Sequence, residues 1–480
     1  MLFSSLVFLY LFLPITLIGY YLLPKAFRNA FLFLASLVFF AWGGVSYSVL
    51  LIFSILFNYL FGVLLDRSSK KKLWLAIGVI VNLLFLIVFK YANFIIDNVN
   101  TVFSWLSIPT VHNPSIVLPI GISFYTFQAM SYLIDVYRKK CAVQKKLINL
   151  GLYISLFPQL IAGPIVRYHD IQKQIKERIH STDKFRSGIQ RFTLGFAKKV
   201  IIANTMAYVA DEVFSIQAEA HSPLIAWAGI LAYSMQIYYD FSGYSDMAIG
   251  LGRMFGFEIL ENFNFPYISK SIKEFWRRWH ISLSNWFRDY LYIPLGGNRI
   301  NSRRTILNLF IVFFVTGFWH GASWSFLIWG LVHGCFLVLE RTKFGSFMAK
   351  LPGVVQSLYT LFVTVMAWVL FRADTLAYAL DYYKVLFGYG DVVADPFLIH
   401  KLISRESIVI FIIAILGAFG VFQWIYEKLA KHLRKQGRLS GNMLELTKGI
   451  VTAVFVIIVF LYGTGNLVLG AYNPFIYFRF

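Results

Sequence analysis

Acidic side chains are scarce in this 480-residue chain, with 23 Asp and Glu against 44 Lys and Arg, a formal net charge of +21. Charge of either sign is also thin, at 14% of residues, while 58% are apolar and the mean hydropathy is +0.66. That balance excludes a soluble globular protein, whose surface would need far more polar residues. Two cysteines, Cys141 and Cys335, exclude a disulfide framework and a paired-cysteine zinc site. The chain has no G-x-S-x-G, no P-loop and no H-E-x-x-H, so it lacks the marks of nucleophile-elbow hydrolases, P-loop NTPases and zincins. Internal repeats are absent too. In a membrane chain an excess of basic loops reflects topology and anionic headgroups, so no nucleic-acid partner is expected.

Long uncharged runs are plentiful: Leu2 to Pro24, Ala30 to Leu65, Leu75 to Phe89, Leu307 to Trp319, Gly353 to Phe371, Ile408 to Tyr426 and Ile450 to Gly463. Several reach the length a helix needs to span a bilayer. The pattern predicts an all-α polytopic membrane protein. About ten to twelve transmembrane segments are expected, many of them short, tilted or re-entrant, in one membrane-embedded domain over residues 1–480. The first run lacks a basic n-region and an A-x-A-like site, so it reads as a membrane segment and not a signal peptide.

Basic clusters orient the segments. Lys25 and Arg28, Arg67 with Lys70 to Lys72, Arg138 to Lys146, Arg167 to Lys199 and Lys428 to Arg438 belong on the cytoplasmic side. Both chain ends then fall on the outer side. Leu150 to Val166 is apolar but carries Pro158 and Pro164 between basic flanks, which predicts a re-entrant hairpin. Asp240 to Asp246 puts two carboxylates between apolar runs. An interfacial turn and a cavity lining both fit it.

Over residues 269–292, Ile272, Phe275, Trp276, Trp279, Leu283, Trp286, Phe287 and Tyr290 form one helical stripe, with Lys273, Arg277, Arg278, Asn285 and Arg288 opposite. This predicts an amphipathic helix on the cytoplasmic face, with His280 turned into the protein. The stretch Leu307 to Gly330 holds a single ionisable side chain, His320. An ionisable group in hydrocarbon is costly and marks function by default. A neutral imidazole in a dry cavity can take a proton from a hydroxyl, and two histidines facing one cavity suit general-base catalysis of acyl transfer. Gly317 and Gly321 leave room for close helix approach and a chain-like substrate. His333 is expected to pack, and His112, His169, His180, His221, His400 and His432 to be solvated.

Five strings carry a resemblance: EFWRRWHISLSNWFRDYLYIPLGGNR from Glu274, GFWHGASW around His320, LPIGISFYTFQAMSYLIDVYR from Leu118, FPQLIAGPIVR from Phe157 and YYDFSGYSDMAIGLG from Tyr238. In type and order they resemble the bacterial membrane-bound O-acyltransferases, over most of the chain. The LGGNR ending is closer to the branch that O-acetylates polysaccharides such as alginate than to teichoic acid D-alanylation. Peptidoglycan O-acetylation systems share the motifs. The resemblance implies a ring of tilted helices around a thinned core crossed by a tunnel. It also implies catalytic roles for His320 and His280, and a bacterial inner-membrane location.

It implies a cytoplasmic thioester donor used as substrate, acetyl-CoA or an acyl carrier protein, with no bound cofactor and no metal. Lys273, Arg277 and Arg278 suit that anionic donor. The implied acceptor side holds a polysaccharide and a secreted or periplasmic acetyltransferase partner. The tail, residues 473–480, resembles the F-x-Y-x-x-F ending of an accessory peptide of D-alanylation, which makes Tyr477 a candidate acyl relay. An interfacial aromatic anchor is the plainer reading of the same tail. A proton-coupled transporter is the rival class, but neither inverted repeats nor a chain of membrane carboxylates supports it.

Overall fold

Runs of apolar residues with few internal breakers leave the backbone no partner but itself in a bilayer, and helix follows. The structure, a computed structural model, describes residues 1–161, 163–220, 222–389, 404–435, 441–470, 472–474 and 476. Helices without strands make up the regular structure of the described residues. The fold is that of an all-α polytopic membrane protein. Val45–Arg67, Lys71–Trp105 (α1), Gly353–Arg372 and Gly449–Val468 are long and apolar enough to cross a membrane, and Arg405–Ala418 with Val421–His432 forms a pair bent by 63°. The other apolar runs make shorter helices, among them Phe8–Leu22 and Arg28–Ala41.

The site is built on six further helices: Ile122–Tyr137 (α2), Pro223–Met254 (α3), Ile272–Arg278 (α4), Ile281–Phe287 (α5), Ser302–His320 (α6) and Trp324–Leu339 (α7). Their starts are legible chemistry. Ser222 caps α3 ahead of Pro223, Asn301 caps α6 and Ser323 caps α7, each side chain accepting from a backbone N–H of the first turn. α6 and α7 cross where neither has a side chain. A Cβ on Gly317 would strike the Phe326 carbonyl, and one on Gly330 the Phe313 carbonyl. The expected close approach at Gly317 is therefore present.

Three expectations change. The stretch Asp240 to Asp246 is no turn, since it lies within the unbroken α3, where each carboxylate finds a cation. Asp240 pairs with Lys199 at 2.7 Å, and Asp246 with Arg191 and Lys198, each at 2.7 Å. The amphipathic helix over 269–292 is two helices, because His280 adopts a left-handed backbone with φ +44° and ψ +53° between α4 and α5. Such a residue cannot continue a right-handed helix and costs roughly 1–2 kcal/mol. The eight apolar stripe residues are nevertheless all buried. His169 and His180, expected in solvent, are bonded instead. His169 reaches Asp135 at 2.6 Å, and His180 meets the Tyr20 hydroxyl at 2.9 Å. His221 and His400 lie outside the described residues.

The Pro-containing stretch after Lys146 forms Leu147–Ser155 and Phe157–Leu160, broken at Leu156, and residues 150–161 are all buried. Irregular backbone at such depth survives only inside protein.

Candidate active site

α6 carries His320 on its last residue, so the helix delivers the imidazole to its own end. The break before α5 delivers His280 from the other side. The two rings lie 6.5 Å apart between centroids, inclined by 59°. Trp319, Trp329 and Phe371 pack around His320 at 4.9, 5.0 and 5.2 Å, and Phe241 stands edge-on to His280 at 4.5 Å. His320 is 5% exposed and His280 fully buried. The Nε2 atoms of both have no hydrogen-bond partner among the described residues. A buried ring nitrogen without a partner is free to bond a substrate or a water.

His320 is not enclosed in solid protein. It lines a cavity of about 90 Å³ with Lys90, Ser123, Ile161 and Trp319. Lys90 and Leu118 also line a neighbouring cavity of about 280 Å³ that reaches Gly321, Ser323 and Arg372. On the basic side of the molecule a cavity of about 1040 Å³ runs from Lys273, Arg277, Arg288 and Arg341 inward to Ile281, Leu283, Phe313 and Thr316. Thr316 lies one turn before His320 on α6, and Ile281 adjoins His280. His320 thus lines one cavity, and residues close to both histidines in sequence line another.

Of the residues singled out in the sequence, the fold brings His320 and His280 together and places Lys273 and Arg277 on the large cavity. Arg278 does not share that place. Its guanidinium is turned to Glu274 at 2.8 Å and to the Asn264 carbonyl at 3.1 Å. His333 packs as expected, accepting from Trp276 Nε1 at 3.3 Å. Tyr477 lies outside the described residues.

Lys90 was not among the expected site residues. It sits in a π-helical turn, Ile87–Tyr91, and donates to the carbonyls of Trp319 at 2.5 Å and His320 at 3.1 Å. It supplies the carbonyls at the end of α6 with donors that the helix itself cannot provide. Its signal in the sequence is a cation directly after the apolar run Leu75 to Phe89.

Ahead of residue 477 the chain turns back into the protein. Tyr472 donates to Asp211 at 2.6 Å, Asn473 reaches the Ser4 carbonyl, and the Ile476 N–H donates to Asp240 at 2.9 Å. Lys199 donates to the Pro474 carbonyl.

Residues 138–377 match the membrane-bound O-acyltransferase family. Two of the relatives agree along the whole chain. A probable alginate O-acetylase of Azotobacter vinelandii is 39% identical over 100% of both chains. This chain belongs to the membrane-bound O-acyltransferase family. It is an acyltransferase of the membrane. A second probable alginate O-acetylase, from Pseudomonas putida, is 41% identical, again over 100% of both. A peptidoglycan O-acetyltransferase of Helicobacter pylori is 38% identical over 82% of this chain and 81% of its own.

Proposed function

We propose that this acyltransferase moves an acetyl group from a cytoplasmic thioester through the bilayer, for O-acetylation of an extracellular or periplasmic polysaccharide such as alginate. The observation that carries the reading is the buried His280–His320 pair, 6.5 Å apart, with His320 lining the cavity at Lys90 and Ile281 and Thr316, near the pair in sequence, lining the large basic one. By the charge rule the basic side is cytoplasmic, so the protein is a multi-pass component of the bacterial inner membrane. Relatives named as alginate O-acetylases support the glycan. The donor enters at Lys273 and Arg277, whose charge suits the phosphates of CoA or an acidic carrier protein.

His320 acts as general base. It takes the proton of an acceptor hydroxyl as the oxygen attacks the thioester carbonyl. The C–O bond forms, the C–S bond breaks, and the thiolate leaves to recover a proton. Closeness and orientation in a dry site supply much of the rate. Tyr477 is the first acceptor in this reading and passes the acetyl group to a secreted acetyltransferase. A phenol needs a base to become a nucleophile, and His320 provides it.

Membranes containing the protein, supplied with radiolabelled acetyl-CoA or with radiolabelled acetyl carrier protein, test the reading. Label on protein or glycan that disappears in His320→Ala supports it. Label that persists in His320→Ala, or solute uptake without label, overturns it. Full activity in Tyr477→Phe with no acetyl group found on Tyr477 by mass spectrometry removes the relay alone.

A further inference from the structure

The ring nitrogens of His280 are not equivalent, and the backbone of Ser282 shows which is which. An N–H can only donate. The Ser282 N–H points at Oδ1 of Asn262 from 3.1 Å, so the Asn262 side chain presents its oxygen here and not its amide nitrogen. The Ser282 hydroxyl donates to the same oxygen at 2.9 Å, while Nδ2 of Asn262 points the other way, to the Ser245 hydroxyl at 3.1 Å. His280 Nδ1 faces that oxygen at 3.2 Å. The Ser282 hydroxyl also lies 3.5 Å from Nδ1, but its one proton goes to the nearer Asn262 oxygen. Two acceptors cannot bond, so Nδ1 carries the proton. Nε2 is then left with a lone pair, and it is the nitrogen with no partner among the described residues.

Asn262 is itself held. Its carbonyl accepts from the Ile281 N–H at 2.9 Å, and Asn264 donates to the Arg278 carbonyl at 2.9 Å. These bonds grip the chain on both sides of His280, where the backbone is left-handed with φ +44°. Strain of this kind persists only when surroundings over-determine it. The Ser282 hydroxyl also accepts from the Ile165 N–H at 3.0 Å, which ties the buried irregular stretch to the same point. Asn262, Ser282 and Ser245 are all buried, so no water competes for the amide.

We infer that Asn262 is a positioning residue for acyl transfer: it locks His280 in the Nδ1–H tautomer and so turns a bare Nε2 toward the reaction space. His280 then accepts a hydrogen bond, or a proton, from the reacting hydroxyl, and cannot donate one from that nitrogen. This rests on the acyl-transfer reading.

¹⁵N solid-state NMR of histidine-labelled protein in membranes tests it, with the His280 signals assigned by their loss in His280→Gln. The expected result is a protonated Nδ1 and an unprotonated Nε2. A protonated Nε2 in the unaltered protein overturns the inference whatever the variants do. Asn262→Leu is expected to mix the tautomers and to lower kcat by roughly 10²-fold with KM little changed. Asn262→Asp, which keeps the acceptor, restores both. Unchanged kcat in Asn262→Leu overturns the proposal. A loss that Asn262→Asp does not restore, with the tautomer unaltered, overturns it too. His320→Ala runs in parallel: full transfer there removes the acyl-transfer reading and leaves the NMR assignment standing.

Discussion

Nζ of Lys90 donates to the backbone carbonyl of His320 at 3.1 Å, across 230 residues of chain. One helix thereby holds the end of another at the position of the candidate base. A helix end leaves its last carbonyls without internal partners, and in a low-dielectric interior that vacancy is expensive. Lys90 fills it. It lies in one π-helical turn and Lys199 in another, Lys198–Ala203. Local π-turns often accompany functional sites, and here each presents a lysine Nζ to backbone carbonyl oxygen of a distant segment, two carbonyls for Lys90 and one for Lys199.

Lys90→Met is expected to release the end of α6. Hydrogen bonds contribute roughly 0.5–1.5 kcal/mol each, and two to carbonyls are lost. Acetyl transfer should fall by at least about tenfold, since a misplacement near 1 Å can cost about 10² in rate. The protein should still assemble in the membrane. Label transfer by membranes carrying equal amounts of each protein checks this, and wild-type rates in Lys90→Met would refute it.

Much of the fold was legible because the bilayer imposes a single rule. Apolar runs became helices, and the glycine at 317 allows the close approach that the sequence implied. His280 was legible as an inward-facing residue, but the left-handed break at it was not. That break, at His280, is held by Asn262 and Asn264, which lie far earlier in the chain, and helical periodicity is blind to such partners. Asp240 failed as a turn for a similar reason. Its cation, Lys199, comes from another helix, so nothing near Asp240 in sequence says that its charge is paired.

The Lys199–Asp240 pair has both side chains 2% exposed and meets the backbone of Pro474 and Ile476. Lys199→Met leaves a buried carboxylate alone, a loss of about 3–5 kcal/mol. Asp240→Asn strands the lysine in the same way. Each single variant should melt earlier in detergent and should expose the tail to carboxypeptidase. If the tail matters for transfer, as the relay reading holds, activity falls with it. Unchanged melting and unchanged digestion would show that the pair anchors nothing.

Donor capture should follow charge on the large cavity. Lys273→Gln with Arg277→Gln is expected to raise KM for the thioester by about tenfold or more while leaving kcat nearly as it was, the mark of lost uniform binding. The wild-type KM should rise with salt and the double variant's should respond less. Arg278→Gln is the comparison, because that side chain is engaged by Glu274 and the Asn264 carbonyl. It should change KM less than the pair does. Equal effects from the two would mean that the cavity does not receive the donor.

His169 gives a pH signature away from the reacting groups. Hydrogen bonds to Asp135 and then to Asp170 outweigh its burial and push its pKa up to about 9, against 6.5 in an unfolded chain. The folded protein therefore binds this proton more tightly than the unfolded one. Stability from the pair is fully present below pH 6.5 and is lost as pH rises through about 9. Melting of the purified protein should occur at higher temperature at pH 6 than at pH 9.5, and His169→Gln should flatten that part of the curve. At pH 6 the variant should be the less stable of the two proteins. By pH 9.5 the unaltered protein has lost the same charge–charge attraction, so the two melting temperatures should converge. A difference that persists undiminished to pH 9.5 would show that the histidine contributes packing and not a titrating ion pair.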